Sequence, residues 1–236
     1  MREDVHPVTY AIEPLPITTL PVAGTDESFP VSRVYCVGRN YAEHTVEMGG
    51  DPDREPPFFF AKPADAVVPN GGTLPFPSAT EDLHHEIELV VALGEGGADL
   101  SASAALSHVF GYAVGLDMTR RDLQAEAKKA GRPWDMAKGF DRSAPTSAVR
   151  PVSEIGHPER GSIWLRINDE LRQEGDLGQQ IWKVPETIAY LSTLVELRPG
   201  DLIMTGTPKG VGPVSRGDRL VGHIDGVGDL EVEYQT

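Results

Sequence analysis

Apolar residues along this chain recur mainly at every second position, in short runs broken by glycine and proline. The clearest case is His84-His85-Glu86-Ile87-Glu88-Leu89-Val90-Val91. It predicts one strand with Ile87, Leu89 and Val91 on one face and Glu86 and Glu88 on the other. Further strands are expected at Val34 to Val37, ending at Gly38, and at Phe58 to Lys62, stopped by Pro63. Others are expected at Val109 to Leu116, Ser162 to Ile167, Leu202 to Thr205, Arg219 to Ile224 and Asp229 to Tyr234, with Asn168-Asp169-Glu170 as a hairpin turn. Helical spacing is rarer. Pro185 opens a helix with Ile188, Leu191 and Val195 on one stripe, and Arg121 to Lys129 closes at Gly131 with Pro133 beyond. Ala102 to Leu106 fits a single turn. Asn40, with Glu43 as capping-box partner, starts a short helix ended by Gly49 and Gly50. So short a helix is marginal without packing, which suits a lid near residues 40–50. Many short strands with few helices predict a β-rich α+β fold. Pro7, Pro14, Pro16, Pro21 and Pro30 mark residues 1–30 as an arm preceding one domain, 31–236.

Composition narrows the function. With 236 residues the chain can bury a sizeable core, and 25 Gly with 20 Pro suit a turn-rich globular protein. A net charge of -15 argues against nucleic acid or anionic membranes as partners, and an anionic substrate would need local cations. The single Cys36, within an apolar run, excludes an intramolecular disulfide framework and any multi-thiolate metal site. No apolar leader follows Met1 and no stretch is long enough to span a bilayer, so the expectation is a soluble cytoplasmic protein.

Glu86 and Glu88 carry the first chemical signal. Like charges on one face of an apolar strand repel, and near a core they cost several kcal/mol unless paired. Either they line the wet face of an edge strand, or they hold a divalent cation. Asp117, ending the apolar Val109 to Leu116 run, supplies a third hard oxygen, and such a set selects Mg²⁺ or Mn²⁺. His84 would share the glutamates' face in a regular strand, as a ligand or as support for one. His44 and Glu47, three apart on the short helix, face the same way, as a water-activating pair or a solvated face. Lys138 sits among Trp134, Met136 and Phe140, either as a desolvated ammonium able to stabilise an enolate or as a lysine snorkelling from a loop. Gly206-Thr207-Pro208-Lys209-Gly210 lacks the ending of a P-loop and reads instead as a turn offering hydroxyls and N–H groups to a carboxylate.

In order, Gly38-Arg39-Asn40-Tyr41, His44 with Glu47, Phe60-Ala61-Lys62-Pro63, His85-Glu86-Ile87-Glu88, Gly115-Leu116-Asp117-Met118-Thr119, Ala137-Lys138-Gly139-Phe140-Asp141 and Thr205-Gly206-Thr207-Pro208 resemble the fumarylacetoacetate hydrolase family. The likeness runs over roughly Val34 to Glu233. It implies a mixed β-sandwich roll, usually a homodimer, binding Mg²⁺ or Mn²⁺. It implies Glu86, Glu88 and Asp117 as metal ligands, His44 and Glu47 as a dyad on a lid, and Lys138 assisting a carbanionic intermediate. Arg121, Gln124 and Thr207 are implied to hold a 2-oxo acid end. Within the family, the segments Asp51 to Phe60 and Arg132 to Asp135 look most like those of members hydrolysing fumarylpyruvate in gentisate degradation. The expected reaction is then C–C hydrolysis of a 2,4-dioxo acid. The expected rivals are oxaloacetate decarboxylation or dienedioate isomerisation on the same centre, and a scaffold without catalysis. A distal carboxylate would need its own cation, with Arg39 and Lys62 as candidates.

Overall fold

The computed structural model of the protein describes residues 9–41 and 55–236. The expected helix after Asn40, its capping partner Glu43, and the His44–Glu47 pair lie outside the described residues. A mixed sheet runs in the order Phe58–Lys62, Val34–Gly38, Leu202–Met204, Ile87–Leu93, Val109–Leu116, Ala144–Thr146 and Val67–Pro69, and Arg150–Pro151 also pairs with Val109–Leu116. A five-stranded sheet packs against it, ordered Glu170–Asp176, Ser162–Ile167, Arg219–Ile224, Gly228–Tyr234 and Gly72–Leu74. A small third sheet joins Thr119–Arg120, Leu83–His85 and Gly212–Val214. The protein is therefore β-rich with few helices, as the alternating pattern predicts.

The Ile87–Leu93 strand lies at the centre of the first sheet, and all seven of its residues are buried. Its odd-numbered residues Ile87, Leu89, Val91 and Leu93 pack with Ile163, Leu165, Leu220 and Ile224 of the second sheet. Val90 and Ala92 point the other way, onto Cys36, Met204, Leu20 and Phe29. Each Val, Leu, Ile, Phe or Met side chain fully buried in these clusters contributes about 1.5–3 kcal/mol. Leu20 and Phe29 belong to a hairpin, Thr19–Pro21 with Ser28–Pro30, so the latter half of the arm caps the second core. The glutamates' side of this strand is thus a buried face, and the edge-strand alternative fails.

Three sequence expectations need correction. The stretch from His84 to Val91 is not one strand. It breaks at Glu86, because Leu83–His85 pairs with Gly212–Val214 while Ile87 onward pairs with Val109–Leu116. Alternation reports the period of a strand and carries no information on its partner. Val195 lies one residue past the Val184–Leu194 helix, in extended backbone, so the buried stripe is Ile188 and Leu191 without it. Glu170 already begins a strand; the hairpin turn is Asn168-Asp169, both at positive φ (50° and 67°), as a two-residue primed turn requires. Cys36 is fully buried, and burial pushes its thiol well up, in keeping with a structural role. Among the described residues no helix is long and apolar enough to cross a membrane.

Val34–Gly38 and Leu202–Met204 pair in parallel, so both end on the same side of the sheet. Their starts are clamped by Arg33 and Asp201. Arg33 donates through Nε (2.9 Å) and an Nη (2.5 Å) to the two oxygens of Asp201, which also accepts from the Arg198 N–H (2.8 Å). The Asp201 side chain is 0% exposed, and its hydrogen bonds hold the Arg33 guanidinium above its ordinary pKa. Asp201→Ala should cost about 2 kcal/mol, since Arg33 remains partly solvated when its partner is lost. A drop in Tm of roughly 4–8 °C in calorimetry is expected; an unchanged Tm would show that the clamp is not stabilising.

Candidate active site

The register of the central strands creates the site. Ile87 faces Leu116 and Glu88 faces Gly115 across the antiparallel ladder, and the Asp117 N–H donates to the Glu86 carbonyl (2.9 Å). Glu86 and Asp117 are therefore cross-strand neighbours, the arrangement in which like charges destabilise a sheet. Gly115 opposite Glu88 has no room for a side chain: a Cβ there would lie 2.5 Å from Val90. Glu86, Glu88 and Asp117 are 6%, 2% and 0% exposed, and one oxygen from each lies within 4.8 Å of the others.

Three cations surround this cluster. Lys138, from the short helix Asp135–Lys138, donates to Glu86 Oε2 (2.8 Å) and Asp117 Oδ2 (2.6 Å). Burial opposes its charge, but Asp117 and Glu86 prevail and hold its pKa above the ordinary lysine value. Arg121, first in the helix Arg121–Lys129, reaches Glu86 Oε1 (2.5 Å). Lys62, last residue of its strand, lies 2.8 Å from Asp117 Oδ1 and donates to the carbonyls of Met118 (3.1 Å) and Lys138. Glu88 Oε2 accepts from the Gly206 N–H (2.7 Å). Even so, burial pushes the Glu88 carboxyl well above the usual range, with Asp117 and Glu86 adding to the effect. Asp117 Oδ1 is buried and accepts no hydrogen bond among the described residues. A buried carboxylate oxygen met only by the Lys62 ion pair, a carboxyl driven toward its neutral form and an all-oxygen donor set fit a hard divalent cation.

The structure separates the expected residues into those it gathers and those it does not. Arg39, Arg121, Gln124, Thr207 and Lys138 line one cavity with Glu86 and Glu88. Gln124 is buried and accepts from Arg121, so both side chains of that helix turn stand beside the cluster. His84 is not in the cluster. Its Nε2 meets Asp82 (2.8 Å) and its Nδ1 accepts from Arg121 Nε (3.3 Å), because the chain changes sheets between His84 and Glu88. Burial and the Arg121 charge lower its pKa. Lys62 is not on the distal side of the cavity either: it is 3% exposed and lies beneath Asp117. The Gly206 N–H, expected to meet a ligand carboxylate, serves Glu88 instead. Asn40 uses its side chain to join Thr205 and Trp182, donating to both carbonyls (2.8 and 2.9 Å) and accepting from the Trp182 N–H (2.7 Å).

Gln173 is the residue that sequence reasoning missed. It sits on Glu170–Asp176, in the second sheet, 1% exposed. Its Oε1 accepts from His85 Nδ1 (2.9 Å) and the Ile87 N–H (3.0 Å), and its Nε2 donates to Thr207 Oγ1 (2.8 Å) and the Pro208 carbonyl (2.9 Å). All four amide valences are used. Because Thr207 Oγ1 accepts from Gln173, its own proton is free to be donated into the cavity. The available signal was a lone amide amid charged residues on a strand, which is too weak to act on.

Comparison with known proteins gives a consistent picture. The family model described as "Fumarylacetoacetate (FAA) hydrolase C-terminal" matches residues 33–234. A crystal structure of fumarylpyruvate hydrolase from Pseudomonas aeruginosa, in complex with Mn²⁺ and pyruvate, superposes with a TM-score of 0.94 at 54% identity, covering 96% of this chain and 99% of that one. The mitochondrial oxaloacetate tautomerase FAHD1 of Mus musculus is 47% identical over 194 residues, 82% of this chain and 87% of its own length. Its counterpart in Arabidopsis thaliana is 42% identical over 204 residues, 86% of this chain and 91% of its own. With its β-rich fold and its gathered acidic triad, this chain belongs to the fumarylacetoacetate hydrolase family.

Proposed function

We propose that the protein hydrolyses the C3–C4 bond of a 2,4-dioxo acid, with fumarylpyruvate as substrate and fumarate and pyruvate as products. The reading rests on the buried Glu86–Glu88–Asp117 set with Lys138 across it, in a chain 54% identical to a fumarylpyruvate hydrolase. A divalent cation, Mg²⁺ or Mn²⁺, held by the three carboxylates would supply Lewis acidity and a template for the 2-oxo acid end. Arg121, Gln124 and the free Thr207 proton orient the substrate's carboxylate beside it. His44 and Glu47, assigned by family resemblance, take a proton from the water that attacks C4. Cleavage leaves pyruvate as its enolate, and Lys138, charged and desolvated, stabilises the developing negative charge. A homodimer is part of the same reading.

A second reading has specific support, because curated relatives over most of the chain are oxaloacetate tautomerases. Both reactions pass through an enolate of a 2-oxo acid. Product analysis separates them. Purified protein with Mg²⁺ should release fumarate and pyruvate from fumarylpyruvate; turnover of oxaloacetate without release of fumarate would transfer the assignment to the second reading.

Two variants probe the parts. Glu88→Gln should weaken Mn²⁺ binding in calorimetry by at least roughly 100-fold, the upper end of what losing a mere outer partner costs. Catalysis that survives both this change and exhaustive EDTA treatment would contradict the metal assignment. His44→Ala should abolish hydrolysis yet leave binding of oxalate, an enolate mimic, nearly intact. Equal loss of both would mean that His44 supports the fold.

A further inference from the structure

Beyond the reacting carbons the cavity continues, and its far part has a consistent chemistry. Arg121, Gln124 and Lys128 are spaced i, i+3, i+7 on one helix, hence on one face, and all three line the cavity. Arg121 touches Glu86 at the acidic end. Lys128 lies two turns on, about 10 Å along the axis at 1.5 Å per residue. Facing this row is Arg39, half-buried in left-handed backbone (φ 57°), with its guanidinium 5.9 Å from the Phe58 ring centre. Strained non-glycine backbone of this kind gathers at ligand clamps. The walls between are flat: Phe58 meets Trp134 edge-on at 5.6 Å, and Phe60 lies 6.0 Å from the same ring. Gly38 makes space for this wall, since a Cβ there would fall 2.0 Å from the Phe58 ring.

We infer that Lys128, with Arg39, holds the distal carboxylate of a dicarboxylic, conjugated acylpyruvate, and so sets which family substrate this chain accepts. The inference rests on the function proposed above and names the selectivity of that site. Fumarylpyruvate is a seven-carbon chain, roughly 7–8 Å between its terminal carbons from standard bond lengths. That length spans from the Arg121 end toward Lys128, with the planar enone lying between aromatic rings. Oxaloacetate, four carbons long, ends roughly 4 Å from its first carboxyl carbon and falls short of Lys128. In a protein of net charge -15, an anionic substrate needs local cations, and Lys128 supplies one at the outer part of the cavity. Lys62, buried under Asp117, cannot serve there.

The test compares three substrates on wild type and Lys128→Met: fumarylpyruvate, acetylpyruvate, which lacks the distal carboxylate, and oxaloacetate. Loss of a charge-assisted hydrogen bond should raise KM for fumarylpyruvate about 10- to 100-fold. Turnover of the other two should stay within about twofold, and Lys128→Arg should restore most of the loss. An equal effect on all three, or none on fumarylpyruvate, would overturn the inference while leaving hydrolysis established by the wild-type products. A wild type that turns over only oxaloacetate would remove the proposed function, and this inference with it.

Discussion

The structure is organised around three carboxylates that a sheet interior would normally reject. Glu86 and Asp117 stand opposite one another on adjoining strands, and Glu88 is one step along on the same side. All are buried, so neither bulk water nor salt screens them. Lys62, Lys138 and Arg121 match their number of charges, yet Glu88 is still driven toward its neutral form, and Asp117 Oδ1 has the Lys62 ion pair but no aligned hydrogen bond among the described residues. Side-chain cations satisfy the sum of charge without satisfying the geometry. A divalent ion in the middle of the three oxygens would satisfy both, which is why the burial itself argues for one.

That unusual interior needs a stiff frame. The two parallel strands that bring Arg39 and Thr207 to the cavity are tied at their start by Arg33–Asp201 and beyond their ends by Asn40, which bonds Thr205 and Trp182. Gln173 reaches across from the second sheet to fix Ile87 and Thr207 together. One amide thereby couples the strand bearing Glu88 to the turn bearing the expected substrate hydroxyl. Catalytic groups must be held within about 0.5 Å of productive geometry, and such bonds between sheets are how a site at strand ends achieves it.

Much of this was legible in the residues, and the omissions have a common cause. Strand identity followed from alternation, and the chemistry of Glu86, Glu88 and Asp117 followed from hard oxygens placed where charge is awkward. Which strand pairs with which did not follow, because period 2 is indifferent to partner. That one gap explains the undivided strand through Glu86, the misplaced His84 and the edge-strand alternative for the glutamates. Lys62 was legible only as a cation near the site; its burial under Asp117 depends on where Phe58–Lys62 docks. Gln173 was invisible because its four partners lie 34 to 88 residues away in sequence.

The acidic centre alone does not determine the reaction. Tautomerisation, decarboxylation and C–C hydrolysis of 2-oxo acids all demand an enolate held beside a cationic group, so Glu86, Glu88, Asp117 and Lys138 suit each of them equally. What differs among those substrates is what lies beyond the fourth carbon. In this chain that space is walled by Phe58, Phe60 and Trp134 and flanked by Arg39 and Lys128. An aromatic slot ending in cations adds little to a four-carbon acid and much to a planar seven-carbon diacid. On that ground the outer cavity, more than the acidic triad, is where the choice among these reactions has to be decided.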